Sequence, residues 1–424
     1  CTFEEGRGSM SNTATVLAFD FGASSGRAIR AVYDGQNLTY EEIHRFENVP
    51  IEKDGHLCWD VETLLKEIHT AIQKAGTFDS LGFDTWGVDF GLLDADGHLL
   101  ANPVHYRDVR TNGKPEQAAA CMPAEELYAH TGNQIMAINT LFQLLALQEQ
   151  EPELLQKAEQ ILFMPDLFAA LLGAEPVCER SIASTSQMLD PRTGQWSREV
   201  LVAYGLPENS FAPIVASGTV TGTLANSAKI IAVAGHDTQC ASAAMPCAEE
   251  DAEHTAFLSC GTWSLLGTEL DAPILTADSC QSGLSNELGA NGKINYLKNI
   301  IGLWLIQESR REYKRRGQAY SFAELEQQAL AAEPLRSFID PDAPEFVAPG
   351  DLPGRIQKFC RKTGQPVPET VGAVMRCIYE SLALKYRYAI EQLSAVTGRT
   401  FTTLHVLGGG TKDRLLCQMT ADCC

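Results

Sequence analysis

The strongest constraint on this chain is a pattern that it uses twice. Near the N-terminus an apolar run (16–19) meets Asp20, a turn of small residues follows (Gly22-Ala-Ser-Ser-Gly26), and a second run (28–33) leads away. Far downstream, 255–259 leads into Cys260-Gly-Thr262, and 264–270 leads away. Each reads as a strand, a tight turn and a returning strand, with glycine where the backbone must turn or be approached closely. A third strand is expected at 38–46 in one half and at 294–297 in the other. A fourth is expected at 81–84, just before Gly87, and at 404–407, just before Gly408-Gly-Gly410. Helices precede both fourth strands. In the first half Asp60 stands at an N-cap, Val61, Leu64, Leu65, Ile68, Ile72 and Ala75 recur at helical spacing, and Gly76 ends the run. In the second half Val371, Val374, Ile378, Leu382, Tyr386, Ile390 and Leu393 share one helix face. Sequence identity between the halves is slight, but the order of elements agrees. Two like-built α/β halves with a ligand cleft between them are predicted. Their expected limits are 15–247 and 248–424, behind a flexible tail at 1–14.

The length of 424 residues fits two domains better than one core. A net charge of −21 argues against a nucleic-acid partner, which needs a basic surface. The basic run Arg310-Arg-Glu-Tyr-Lys-Arg-Arg316 reads as the solvated end of a helix. The best apolar stretch, 162–174, is broken by Pro165 and Asp166, so no membrane span is expected. The polar start with Glu4 and Glu5 does not resemble a signal peptide, and a cytoplasmic location is expected. The 13 cysteines lack a CxxC pair and read as reduced thiols, although Cys417, Cys423 and Cys424 cluster where oxidation is conceivable. Between the halves, helices are expected at 141–150 and 154–160 and a buried strand at 230–234. A final helix is expected at 413–422. Nothing follows it to pack its far side, so the second half is expected to be shortened.

Several short stretches carry chemistry. The turn amides with Ser24, Ser25 and Arg27 suit phosphate oxygens, and Asp20 could hold a hydrated Mg²⁺ beside them. An ordinary β-hairpin is the plain alternative. Gly235-His-Asp-Thr238 follows a buried strand, where catalytic groups commonly project. Asp237 there can accept a hydroxyl proton during phosphoryl transfer, cap the following helix, or form half of a His-Asp metal site. Gly261-Thr262 offers an amide and a hydroxyl to phosphate. Gly408-Gly-Gly410 suits close approach of a nucleoside, or a simple turn.

In combination these residues resemble the FGGY carbohydrate kinase family of the actin-like ATPase superfamily. The resemblance rests on Asp20-Phe-Gly-Ala-Ser-Ser-Gly-Arg27, Asp84-Thr-Trp-Gly-Val-Asp-Phe90, Tyr106-Arg-Asp108, Arg110-Thr-Asn-Gly113 and His236-Asp-Thr238. It continues through Ser259 with Gly261-Thr-Trp-Ser-Leu265, Asn299-Ile, Gly302-Leu-Trp304 and Gly408-Gly-Gly410, so it covers nearly the whole chain. It implies two actin-like (ribonuclease H-like) domains, the second truncated, with a catalytic cleft between them. It also implies phosphorylation of a free sugar, L-rhamnulose, by ATP with Mg²⁺. Another ketose or polyol kinase of the family, and a catalytically silent sugar- or nucleotide-binding protein, remain as alternatives. Ala23, Ser24, Ser25, Gly26 and Arg27 would bind the ATP phosphates, and Thr262, Gln307 and Gly409 would complete the nucleotide site. Gly87, His236, Thr238 and Asn299 would contact the sugar, with Asp237 as proton acceptor and Asp20 acting through Mg²⁺. A monomer or weak homodimer is expected.

Overall fold

The computed structural model describes residues 13–424, so most of the expected N-terminal tail lies outside the described residues. The chain divides into two compact units. One comprises the chain up to Asp108 with Leu147–Ala183 and Pro207–Asp237, and the other comprises Val109–Ala146, Ser184–Leu206 and Thr238–Cys424.

The first unit is built on a six-stranded mixed sheet. Strands β1 (Ala14–Phe21), β2 (Ser25–Tyr33) and β3 (Leu38–Glu47) form an antiparallel meander. Helix α1 (Val61–Ala75) then crosses back, so that β4 (Ser80–Thr85) lies parallel to the other edge of β1. The α1 cap is the expected one: Asp60 accepts the Thr63 N–H at 3.1 Å, and Gly76 ends the helix. Beyond β4 the sheet is extended by a parallel strand, Lys229–Ala232, and by its antiparallel partner Thr219–Thr223. Phe19, Phe21, Phe83 and Phe168 fill the core beneath, with the Phe19 and Phe83 rings stacked 4.7 Å apart.

The second unit repeats the meander. Thr255–Cys260, Trp263–Leu270 and Ile294–Ile301 run antiparallel, and Thr403–Leu407 lies parallel to the first of them. Its crossover is the 27-residue helix Val371–Thr397, which buries Val374, Ile378, Leu382, Tyr386 and Leu393. These four strands therefore repeat the topology of β1 to β4, as the sequence pattern requires, and Ser285–Leu288 extends the sheet beyond Ile294–Ile301.

The differences from expectation are local. The helix expected at 154–160 is Pro152–Lys157, and Gln160 instead opens a strand that pairs with Phe90–Leu93. The strand expected at 230–234 stops at Ala232, where the chain leaves the sheet toward Gly235. Two short strands, Ile51–Lys53 and His56–Cys58, are too brief for a periodic signal. The basic run ends helix Trp304–Arg315 as expected: Arg311 and Arg315 pair with the buried Glu308, and Arg316 pairs with Glu312 and Asp351. No helix among the described residues is long and apolar enough to cross a membrane.

Candidate active site

In the first unit, the sheet brings three acids to one edge. Asp20 and Asp84 are register partners on the parallel strands β1 and β4. Thr85, the last residue of β4, forms an isolated parallel bridge with His236, next to Asp237. The half-buried Asp84 carboxyl is pushed well above the usual carboxylate range, first by removal from water and then by the charges of Asp20 and Asp237. Asp20 is answered by Arg27, its cross-strand partner on β2, whose Nε and Nη2 donate to Oδ2 at 2.7 and 2.5 Å. His236 is buried, and its Nε2 lies 3.5 Å from Asp237 Oδ1. Asp237 remains partly exposed and opens the helix Asp237–Ala243.

The turn between β1 and β2 is held by its own backbone and by Asn48. Gly22 N–H donates to the Ser25 carbonyl at 2.9 Å, while the buried Asn48 donates its backbone N–H to Ser24 O at 3.1 Å and its Nδ2 to Gly22 O at 3.0 Å. A Cβ on Gly26 would overlap the Phe46 ring, so packing demands this glycine whatever the ligand. Ala23, Ser24 and Ser25 remain half-exposed around it.

A second feature of this unit presents Gly87. Val88 has φ of 67°, a left-handed conformation that is strained for a β-branched residue. The buried Asp89 holds the turn. Its Oδ2 accepts from Trp59 Nε1 at 2.6 Å, from Trp86 Nε1 at 3.0 Å and from the Tyr106 N–H at 3.2 Å. The two indoles lie 4.1 Å apart, and His105 stacks on Trp59 at 4.2 Å. His105 Nδ1 accepts the Arg107 N–H, and burial together with the Arg107 charge lowers its pKa to about 3. The ring is neutral near pH 7.

In the second unit, Thr262 sits in the turn between the first two strands and donates to Gln307 Oε1 at 3.3 Å. Gly408, at φ 83°, and Gly410 lie against Cys260, where a Cβ on Gly410 would overlap Sγ. Gly409 has open space on its Cβ side. Thr262, Gln307 and Gly409 thus gather at one end of the second sheet. Asn299 lies on the third strand opposite Leu265, with its N–H on Gln134 Oε1 at 3.1 Å. Thr238 is buried in the first turn of its helix.

The first half of the chain, 15–243, matches the N-terminal domain of the FGGY family of carbohydrate kinases, and 256–424 matches its C-terminal domain. The chain belongs to the FGGY family of carbohydrate kinases. It is 43% identical to a rhamnulokinase of Bacteroides thetaiotaomicron, covering 96% of this chain and 85% of that protein. It is 41% identical to a rhamnulokinase of Enterococcus faecalis, covering 96% and 84%. The fold matches a gluconate kinase from Lactobacillus acidophilus at a TM-score of 0.75 and 16% identity, over 97% of this chain and 84% of that one. This FGGY chain is therefore a carbohydrate kinase with two α/β domains.

Sequence reasoning missed the residues that hold the machinery in place. Asp84 was readable only as part of a motif, although its place at a strand end beside Asp20 was a usable signal. Asn48 and Asp89 act through contacts distant in sequence, to Gly22, Trp59 and Tyr106, which no local spacing reveals. The donor set suits Mg²⁺: hard carboxylate oxygens sit at adjacent strand ends, and burial with the charges of Asp20 and Asp237 pushes the Asp84 carboxyl up despite Arg27, a repulsion that a bound cation would relieve. Among the described residues the one tight group of possible metal donors is elsewhere, in the turn containing Asp94, Asp96 and His98.

Proposed function

We propose that this chain transfers the γ-phosphoryl group of ATP to O1 of L-rhamnulose. One observation carries the reading: the curated relatives named rhamnulokinase align over 96% of the chain. The acid array of the first unit supports it, since Asp237 follows a strand end beside Asp20 and Asp84.

The roles follow from chemistry. The sugar hydroxyl oxygen attacks the γ-phosphorus, the bond to the β,γ-bridging oxygen breaks, and ADP leaves. Asp237 orients that hydroxyl and takes its proton late, as a carboxylate can in a loose transition state. His236, Thr238, Gly87 and Asn299 hold the sugar. Ala23, Ser24, Ser25, Gly26 and Arg27 take the phosphates, with Thr262, Gln307 and Gly409 on the nucleoside side. On this reading 15–247 is the sugar and phosphate side and 248–424 the nucleotide side, with Asn299 the one sugar contact from the latter. Asp20, with Asp84 beside it, would hold Mg²⁺, which would supply charge neutralisation for the phosphates. Arg27 and Asp20 already neutralise one another, so nucleotide binding redistributes an existing ion pair toward the phosphates.

The test is a coupled ADP-release assay against free ketoses and polyols. L-Rhamnulose is expected to give the highest kcat/KM. A higher value for xylulose, fuculose or glycerol would overturn the substrate assignment.

A further inference from the structure

We propose that Glu179 is the positioning residue of the phosphoryl acceptor site, acting on Asp237 through the Gly235–His236 backbone; this rests on the reading of Asp237 as the base. Glu179 is a buried carboxylate whose two oxygens are both taken up by hydrogen-bond donors, and its own backbone N–H donates to the buried Asp166 carboxyl at 3.2 Å. Its Oε2 accepts the backbone N–H groups of Ser181 at 2.9 Å, Ile182 at 3.2 Å and Gly235 at 2.9 Å, and the Ser181 hydroxyl at 2.5 Å. Its Oε1 accepts the Ser217 hydroxyl at 2.5 Å. A buried carboxylate is costly, and this many charge-assisted hydrogen bonds hold both it and its partners in one arrangement.

What it holds is the segment that presents the base. The strand ending at Ala232 has left the sheet, so Gly235 and His236 lack a full ladder of their own. Gly235 is instead fixed on both sides: its N–H donates to Glu179, and its carbonyl receives the Thr85 N–H at 2.8 Å. The next N–H, of His236, points to Ser181 Oγ at 3.4 Å, and that hydroxyl is itself fixed by Glu179. A Cβ on Gly235 would stand 3.0 Å from Pro165 and 3.1 Å from Ile182, so this backbone is seated tightly against its support. Glu179 therefore ties the base-bearing loop to the short strand Cys178–Glu179 and the helical turn Arg180–Ala183 that follows it, while Thr85 ties it to the strand that leads to Gly87. Loss of the carboxylate releases one of these two anchors without touching substrate.

The network also says what a substitute must supply. The three backbone donors converge on Oε2 and only a hydroxyl meets Oε1. A glutamine can put its oxygen at the Oε2 position and donate its amide to Ser217, whose hydroxyl can accept. An alanine can do neither.

The experiment compares Glu179→Ala, Glu179→Gln, Ser181→Ala and Asp237→Asn in the full chain, by steady-state kinetics and thermal unfolding. Glu179→Ala is expected to lower kcat about 100-fold, the scale of a misplaced catalytic group, with sugar and ATP KM within about threefold. Glu179→Gln is expected to recover kcat to within about tenfold of the parent. Ser181→Ala, which removes the hydroxyl that joins Glu179 to the His236 N–H but leaves the Glu179 bond to Gly235, is expected to fall between them. Glu179→Ala with parental kcat overturns the proposal. So does a kcat loss that matches only a lost folded fraction, or equal losses in the alanine and glutamine variants. If Asp237→Asn retains turnover, the base reading fails and the proposal falls with it. If Asp237→Asn is inactive while Glu179→Ala turns over normally, the base reading stands and the positioning role alone is lost.

Discussion

The two units share one strand topology but differ in the charge that they bring to their first turns. In the first, the turn is secured by polar partners: Asn48 binds two of its carbonyls, and an Asp20–Arg27 ion pair spans its base. In the second, the turn is likewise held through its carbonyls, by the N–H groups of Gly302, Leu303 and Trp304 on Gly261 O and Thr262 O, but its other ties are neutral: Gly408 and Gly410 pack against Cys260, and Thr262 donates to Gln307. Three acids line the first sheet edge, whereas Thr262, Gln307 and Gly409 bring no formal charge to the second. A duplicated framework has thus been divided between a charged end suited to phosphoryl transfer and a neutral end suited to a nucleoside.

The largest expected effect comes from breaking the charged end at its reacting group. Asp237→Asn should lower kcat by about 10²–10⁴-fold, with ATP binding by calorimetry nearly intact. Substantial residual kinase activity would remove Asp237 from the role of base. A smaller effect sharpens the contrast between the ends. Arg27→Ala should weaken ATP binding by about 10–100-fold, since a charge-assisted hydrogen bond contributes about 1.5–3 kcal/mol, while sugar KM changes little. Thr262→Ala should weaken it by about 3–10-fold, as a neutral bond does. Equal losses, or a greater loss in sugar binding for Arg27→Ala, would erase the distinction between the two ends.

The pattern legible in the sequence was the pattern set by periodicity. Both meanders, their crossover helices and the Asp60 cap follow from apolar spacing and turn residues, and the structure has them. The ends of the irregular segments were not legible, because Gln160 and Ala232 are placed by partners far away in the chain. The same holds for the site. Asp20, Arg27, Asp237 and Thr262 stand out because reactive side chains sit beside glycine. Asp89 and Glu179 look like ordinary acids until the fold supplies three donors to one and five to the other. Gly26 was readable as a glycine but not for its reason, which is the Phe46 ring.

The smallest expected effect concerns pH, and it too separates the units. His105 holds off its proton to about pH 3 in the fold, whereas in an unfolded chain it takes one up near 6.5. Between those values the unfolded state binds more protons, so stability falls as pH drops through the window, and the contribution vanishes above it. Denaturant midpoints at pH 7 and pH 5 should therefore differ more for the parent than for His105→Gln. An identical pH response in both would show that the ring is not the group responsible.

The chain passes from one unit to the other after Asp108, Ala146, Ala183, Leu206 and Asp237. Protein synthesis runs in one direction, and domains generally fold as units, N-terminal first. The first unit has all its residues once Asp237 has emerged from the ribosome. Residues 109–146 and 184–206 have by then also been made, yet the sheet of their own unit is still untranslated. Their apolar side chains, among them Leu141, Phe142 and Leu144, which are fully buried in the finished fold, must wait in the nascent chain. The interleaving thus creates a stage during synthesis at which chaperone capture or aggregation is most expected, and that stage ends when the strand Thr403–Leu407 is added.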